Sequence, residues 1–212
     1  MKVQFFTVGP FAENTYLITN AGKALIIDPG FTSVTEFRAL TEAMDEEDCE
    51  PIAVVLTHAH VDHVLGLNQV LQRYDIPVWL NHSDLFLWEN FEGQAARFGV
   101  QTSGFDFLPN NLEEQDGMEI GPFLFDVLYT PGHSPDHVSL HFKEAGFVIA
   151  GDVLFRESIG RTDLYKGSFD LLAQSIRTKL YTLDDDLKVY PGHGPATTIG
   201  YEKRNNPFVN DK

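Results

Sequence analysis

The stretch Thr57-His58-Ala59-His60-Val61-Asp62-His63 places three imidazoles and one carboxylate within its last six residues. It follows an apolar run, residues 52–56, whose β-branched members predict a buried strand. Such a polar cluster would be costly in an apolar core, whereas imidazole and carboxylate are ligands of zinc and other first-row metals. Four ligands on so short a loop cannot surround one tetrahedral ion without strain. The run therefore predicts two ions that share the loop.

Three later clusters each follow an apolar strand and each add one metal-ligating side chain. They contain His133 after residues 123–129, Asp152 after residues 146–150, and His193 after residues 187–190. Strand ends on one rim of a sheet are where open α/β folds gather functional groups. We therefore expect these three residues to supply the distant ligands that each ion needs.

The remaining pattern predicts strands and helices in two β-rich halves, with sheets inside and helices outside. A capping box of Ser33 and Glu36 marks the start of a helix that runs to about Met44. Residues 90–118 have no clear period and predict a variable connector, with a loop over the functional site as the alternative. Strands are expected at 3–8, 14–19, 24–27, 52–56, 78–80, near 119–129, and at 138–142, 146–150 and 187–190, with further helices at 64–74, 83–89 and 169–180.

Composition limits the classes of partner. The 212 residues fit one domain, and 15 basic against 31 acidic residues give a formal charge of −16. Such a surface disfavours nucleic acids and anionic membranes. The single cysteine, Cys49, cannot form an intramolecular disulfide, and we expect no chemical role for it. With neither a signal peptide nor a membrane span in the sequence, we expect a cytoplasmic protein.

The combined motifs resemble the metallo-β-lactamase fold superfamily. Three segments make this resemblance more specific. They are Ile159-Gly160-Arg161-Thr162-Asp163, Pro191-Gly192-His193-Gly194-Pro195 and Asn206-Pro207-Phe208. They are similar to the corresponding segments of short bacterial glyoxalase II-like enzymes, which are also called hydroxyacylglutathione hydrolase-like enzymes. The resemblance covers essentially the whole chain. It implies one α/β domain over residues 1–212, an αββα sandwich with the site at one sheet edge.

The resemblance also implies a ligand set. It assigns His58, His60 and His133 to the first ion, and Asp62, His63 and His193 to the second. Asp152 bridges both ions, and Asp62 and Asp152 are expected to be catalytic as well as metal-ligating. Two divalent cations are expected, zinc first, with iron or manganese as alternatives, because a mixed N/O site accepts each of them. Two cations lower the pKa of a bridging water enough to supply hydroxide near neutral pH.

Several residues outside the ligand set have expected roles. Arg161 is expected to bind substrate, because glyoxalase II enzymes place a basic residue in this loop against glutathione; a surface pair with Asp163 is the alternative. Thr57 and Asp28 are candidates for orienting the ligands. His137 is expected to support the site structurally rather than to catalyse.

The resemblance implies hydrolysis of a small thioester of the S-D-lactoylglutathione type, by attack of the metal-bridging hydroxide. Full-length relatives continue into a helical segment that binds glutathione, whereas this chain ends at Lys212. We therefore expect glutathione recognition to be weaker, differently built or absent. The leading alternative is a persulfide dioxygenase, which uses one iron on the same scaffold. A nuclease, a β-lactamase and a non-catalytic metal-binding module are less consistent with the charge, the lack of a signal peptide and the intact ligand set.

Overall fold

The computed structural model describes residues 1–210, so the last two residues of the predicted domain lie outside the described residues. Two compact units are distinguished along the chain. The first comprises Met1–Leu112 with Glu119–Phe123, and the second comprises Glu113–Met118 with the chain from Leu124 onward.

The first unit is built on a sheet to which six strands of the described chain contribute, in the order β1 to β6. Its first three strands are antiparallel, and β3 to β6 run parallel. The strands β2 and β3 are buried along most of their length, and β4 is buried in its C-terminal half. Burial on both faces explains the apolar runs at residues 24–27 in β3 and 52–55 in β4. The bounds are β1 Lys2–Val8, β2 Glu13–Asn20, β3 Lys23–Ile27, β4 Glu50–Val55, β5 Val78–Leu80 and β6 Asn110–Asn111.

The helices of this unit pack their apolar faces on that sheet. In α1, Leu40 and Met44 join Ile26 and Val54 in one buried cluster. The predicted capping box of α1 is confirmed, with Ser33 and Glu36 bonded reciprocally. The helices are α1 Val34–Glu46, α2 Val61–Val64, α3 Leu67–Arg73, α4 Phe86–Glu89 and α5 Phe91–Arg97.

The helix predicted over 64–74 is confirmed from Leu67 to Arg73, whereas Val64 belongs to a separate short helix. The chain makes α2, breaks at Gly66 and continues as α3. The break follows from close approach, because the Gly66 amide donates to the Pro29 carbonyl at 2.7 Å. A Cβ at Gly66 would also lie 2.5 Å from the ring of Phe31. Only glycine fits there, and glycine at the same time weakens the helix.

The connector predicted over 90–118 is partly regular. It contains α5, β6 and the strand β7, Gln115–Ile120. The Gln94 side chain of α5 is buried and donates to the Ala59 carbonyl at 2.9 Å. This segment therefore supports the histidine-rich loop, residues 57–63, a role that its sequence pattern did not indicate. The predicted helix 83–89 shortens to α4, whose first amide is capped by Asp84.

The second sheet has the strand order β14-β13-β10-β9-β8-β7 among the described residues. Parallel pairing of β10 with β13 places the ends of both strands, near Gly151 and Pro191, at one edge. A separate two-stranded hairpin, β11–β12, was not predicted. The strands are β8 Phe123–Tyr129, β9 Val138–Phe142, β10 Phe147–Gly151, β11 Leu154–Phe155, β12 Ser158–Ile159, β13 Lys188–Pro191 and β14 Thr197–Thr198.

Helical residues cover one side of β10 and β13. The predicted helix 169–180 begins as α6, Phe169–Ser175, and ends in a wider π-helical turn, Ile176–Leu180. A further helix, α7 at Ile199–Asn205, was not predicted, although Thr198 caps it. Leu172 and Ile176 join Val148 and Val189 in the buried cluster of this unit. No helix within residues 1–210 is long and apolar enough to cross a membrane.

Candidate metal centre

The histidine-rich loop begins where β4 ends. Thr57, His58 and His63 are fully buried, and His60 is nearly so. His60 immediately precedes α2, and Asp62 and His63 lie within α2. The loop after β4 and the short helix α2 thus carry the four predicted ligands of the run.

Asp28 organises the loop from the end of β3. Its Oδ1 accepts the Thr57 amide at 2.7 Å, and its Oδ2 accepts the Thr57 hydroxyl at 2.6 Å. Its Oδ2 also lies 3.0 Å from His63 Nδ1. Asp28 adopts a left-handed backbone with φ of 49°, which aspartate tolerates better than most residues. The buried carboxylate therefore fixes two neighbouring parts of the loop.

These hydrogen bonds determine which imidazole nitrogen is available to a metal. The Thr57 hydroxyl donates its proton to Asp28, so its oxygen accepts from His58 Nδ1, 3.0 Å away. His63 Nδ1 in the same way donates to Asp28. A neutral imidazole carries one proton, so both rings present a lone pair at Nε2. The expected orienting role of Thr57 and Asp28 is thus supported by their contacts.

Glu13 is a buried carboxyl group beside these residues. Its Oε1 lies 3.9 Å from His63 Nδ1, and Thr15 Oγ1 lies 2.9 Å from its Oε2. Burial raises the pKa of Glu13 well above its usual range, with Asp28 adding to the rise and His63 opposing it. The ligand atoms of Glu13, Asp28 and His63 lie within 4.8 Å of one another. Because His63 Nδ1 donates its proton to Asp28, that nitrogen has no lone pair for a metal there.

His133, Asp152 and His193 follow β8, β10 and β13. Asp152 Oδ2 lies 3.5 Å from His133 Nε2 and 3.5 Å from His193 Nε2. His133 Nδ1 donates to the Arg161 carbonyl at 2.8 Å, which leaves its Nε2 as the ligand nitrogen. His137 Nε2 accepts the Asp152 amide at 3.0 Å. This contact fits the expected structural role of His137.

Two glycines permit close approach in this region. A Cβ at Gly132, which has φ of +131°, would lie 2.2 Å from the Leu172 amide nitrogen. A Cβ at Gly160 would lie 1.9 Å from the Asp152 carbonyl oxygen. Larger residues at either position would displace the backbone beside His133 or Asp152.

Arg161 makes the pair that the sequence analysis gave as an alternative to substrate binding. Its guanidinium donates to both carboxylate oxygens of Asp163, at 2.7 and 2.8 Å. The hydrogen bond from Arg161 lowers the pKa of Asp163 to about 2. Both side chains are exposed, so the pair is surrounded by water. Arg161 contributes to the candidate site through its carbonyl, and substrate binding by its side chain stays a prediction.

The seven predicted ligands fall into two groups, each within one compact unit. The first unit carries His58, His60, Asp62 and His63 on the loop after β4, and the second unit carries His133, Asp152 and His193 after its strands. Imidazole nitrogens and carboxylate oxygens in this proportion suit zinc and its first-row neighbours.

Comparison with known proteins agrees with this donor chemistry. The "Hydroxyacylglutathione hydrolase GloC" of Haemophilus influenzae is 40% identical over all of both chains. The crystal structure of TTHA1623 in a di-iron-bound form has a TM-score of 0.86 and 38% identity, and covers 97% of this chain and 100% of that one. The structure of BLEG-1 B3 metallo-beta-lactamase also has a TM-score of 0.86, with 36% identity, 98% of this chain and 99% of that one.

These likenesses extend over nearly the whole chain, and they confirm the predicted α/β class of metallo-β-lactamase type. The family model described as "Metallo-beta-lactamase superfamily" matches residues 8–193, and this range includes every predicted ligand. The chain therefore belongs to the metallo-beta-lactamase superfamily.

Proposed function

We propose that this protein is a dinuclear metal-dependent hydrolase of a small thioester of the S-D-lactoylglutathione type. The observation that carries the proposal is the orientation of the imidazoles. Hydrogen bonds at Nδ1 of His58, His63 and His133 leave Nε2 of each ring as the ligand atom. Buried ligands oriented in advance are what a metal site requires.

Each side chain has a definite task in this proposal. His58, His60 and His133 would hold the first ion, Asp62, His63 and His193 would hold the second, and Asp152 would be shared by both. Asp152 Oδ2 lies between His133 Nε2 and His193 Nε2 at equal distances, which supports the bridging role. When bound, the two cations, zinc first and iron or manganese as alternatives, would supply hydroxide near neutral pH and polarise the substrate carbonyl.

Two arguments support the proposed substrate class: the chemistry of the leaving group and the likeness to the Haemophilus influenzae hydrolase. A thiol has a pKa of about 8.5, so a thiolate leaves without a strong need for a general acid. The ligand side chains can then accomplish the hydrolysis without a separate proton donor. We therefore favour a thioester over an amide or a phosphate ester.

Arg161 is the candidate for recognising the carboxylates of a glutathione moiety. An exposed ion pair such as Arg161 with Asp163 contributes little to stability, because water and salt screen it. A substrate carboxylate can therefore replace Asp163 at little cost, and a guanidinium binds carboxylate through two parallel hydrogen bonds. We further propose a small-molecule substrate rather than a nucleic acid, consistent with the charge of −16. Action in the cytoplasm stays a prediction.

The test is a substrate panel assayed with purified protein whose metals have been quantified. The panel contains S-D-lactoylglutathione, a thioester without glutathione, a chromogenic cephalosporin, and glutathione persulfide with an oxygen electrode. We expect hydrolysis of a thioester with two ions per chain and loss of activity in His58→Ala. Oxygen consumption with the persulfide in place of thioester hydrolysis would establish the dioxygenase instead. Iron content alone does not discriminate, because the similar TTHA1623 structure is di-iron-bound.

A further inference from the structure

A buried carboxyl group in α7 lies outside the proposed ligand set. Glu202 is fully buried, and its Oε1 accepts the Thr197 hydroxyl at 2.6 Å. Its Oε2 accepts the Glu157 amide and Asn206 Nδ2, each at 2.9 Å. Burial of such a group is costly unless its oxygens are hydrogen-bonded, and here both of them are. Through these hydrogen bonds, Glu202 can fix the position of the groups that it contacts.

Two of these hydrogen bonds lead to the turn of the β11–β12 hairpin. Glu157 lies in that turn with φ of 56°, so its amide is presented from a left-handed backbone. Asn206 Nδ2, which donates to Glu202, also donates to the Ser158 carbonyl at 3.0 Å. Glu202 and Asn206 thus hold the turn residue Glu157 and Ser158, the first residue of β12. The Tyr201 hydroxyl adds an exposed hydrogen bond to the Glu157 carboxylate.

The other end of the hairpin meets the candidate metal centre. Asp152 precedes β11, and the Gly160 amide, just after β12, donates to the Val153 carbonyl at 3.3 Å. A Cβ at Gly160 would lie 3.1 Å from His133 Nδ1, so the backbone passes directly beside that ring. The next carbonyl, that of Arg161, accepts from His133 Nδ1. The position of this acceptor therefore depends on where the hairpin lies.

We propose that Glu202 is a positioning residue that orients His133 through the β11–β12 hairpin. Its carboxylate holds the turn, the hairpin places the Arg161 carbonyl, and the carbonyl keeps the proton of His133 on Nδ1. The Nε2 lone pair then faces Asp152. The metal-binding part of this inference rests on the proposed function, whereas the orientation of His133 does not.

Chemistry distinguishes two substitutions of Glu202. In Glu202→Gln, the new amide can turn its NH2 toward the Thr197 hydroxyl, which can accept a hydrogen bond, and keep its oxygen for the Glu157 amide and Asn206. In Glu202→Met, a side chain of similar length provides no acceptor for these donors. The positioning inference therefore expects Gln to preserve the hairpin and Met to release it.

The experiment is nitrogen-15 NMR of histidine-labelled, metal-free protein, with zinc affinity measured by chelator competition. In the unsubstituted protein we expect a His133 Nδ1–H resonance that exchanges slowly with water. Glu202→Met should speed that exchange at least about tenfold and weaken zinc binding by about 10–100-fold, as expected when an orienting partner is lost. Glu202→Gln should retain both properties. Tyr201→Phe, the matched control that removes only the exposed hydrogen bond to the turn, should also retain them.

Specific outcomes would overturn the inference. It is wrong if Glu202→Met lowers the melting temperature but leaves the His133 exchange rate and zinc affinity unchanged, since that is a structural role alone. It is also wrong if the unsubstituted protein shows no protected His133 Nδ1–H. If Glu202→Met fails to fold, Asn206→Ala, which removes the hydrogen bond to Ser158, gives the same test. Failure of the thioesterase assay with intact His133 effects would contradict only the proposed function.

Discussion

The two groups of candidate ligands, one on the loop after β4 and one at the ends of β8, β10 and β13, are oriented by different means. On the loop, His58 and His63 are held by side chains, through Thr57 and Asp28. At the strand ends, His133 is held by a main-chain carbonyl. Exposure differs as well, since the His63 side chain is 0% exposed and the His193 side chain 25%.

The difference shows where each group is sensitive to substitution. A side-chain acceptor can be altered by one substitution at the acceptor itself. A main-chain acceptor persists in every variant and can be displaced only by moving the backbone that carries it. Orientation on the loop should therefore respond to Asp28, whereas orientation at the strand ends should respond to residues that fix the β11–β12 hairpin.

The largest expected effect separates the shared ligand from an unshared one. Asp152→Ala removes the proposed bridge and should lower thioesterase activity by more than about 100-fold, because even partners behind the ligands cost 10–100-fold. Asp62→Ala removes a ligand of the second ion only. We expect Asp62→Ala to retain about one ion per chain, and Asp152→Ala to retain less, by elemental analysis after dialysis. Equal metal content in the two variants would contradict the bridging role.

Asp28→Asn should have the next largest effect, and it should act on the loop. Asparagine tolerates the left-handed backbone of position 28, so the fold should persist. The new NH2 would face His63 Nδ1, which favours the tautomer with its proton on Nε2 and removes the lone pair offered to a metal. We expect zinc affinity to fall by about 10–100-fold in competition titrations.

A matched control for Asp28→Asn is available in the second sheet. Asp126 Oδ2 lies 3.2 Å from His141 Nδ1, so Asp126→Asn alters the same kind of pair outside the predicted ligands. Zinc affinity should not change in that variant. If both variants weaken zinc binding alike, the effect comes from general loss of stability or charge and not from the orientation of His63.

Gly160→Ala should have a moderate effect at the strand ends. The added Cβ would lie 1.9 Å from the Asp152 carbonyl oxygen, so the hairpin must shift. Overpacking of this kind costs about 1–3 kcal/mol, and the melting temperature of the metal-free protein should fall by several degrees. Gly104→Ala is the control, because its nearest neighbour is an exposed Glu92 side chain at 3.4 Å. An unchanged melting temperature in Gly160→Ala would show that the hairpin is free to move.

The same contrast explains what the sequence could predict. The strands at 3–8, 14–19, 24–27 and 78–80 are confirmed because their patterns are local, and the α1 capping box is confirmed for the same reason. The fold class is confirmed because closely spaced His and Asp residues are specific for one superfamily. The histidine-rich loop could be predicted as a metal-binding segment because its ligands lie within six consecutive residues.

The parts that the sequence did not reveal depend on distant contacts. The break at Gly66 arises from the approach of Phe31 and Pro29, which are far away along the chain. The support of Ala59 by Gln94 spans 35 residues, and that of Glu157 by Glu202 spans 45. The hairpin has two residues in each strand, which is too few to show a period. Such features become visible only when the chain is folded.

The smallest expected effect concerns Arg161 and substrate recognition. Arg161→Ala should raise KM for S-D-lactoylglutathione about tenfold, which corresponds to about 1.4 kcal/mol, and should leave kcat and metal content unchanged. A thioester without the glutathione carboxylates should be hydrolysed as before. The Arg161 carbonyl remains in the variant, so the orientation of His133 should persist.

Asp163→Ala tests whether the effect of Arg161→Ala comes from lost substrate binding or from loss of the pair with Asp163. With a pKa of about 2, Asp163 is ionised under all assay conditions and competes with a substrate carboxylate for the guanidinium. Its removal should leave KM unchanged or lower it. If instead Arg161 only stabilises the loop by pairing with Asp163, both substitutions break the same pair and should raise KM equally. In steady-state kinetics, a KM raised by Arg161→Ala but not by Asp163→Ala would therefore assign the guanidinium to substrate, and equal increases would assign it to the loop.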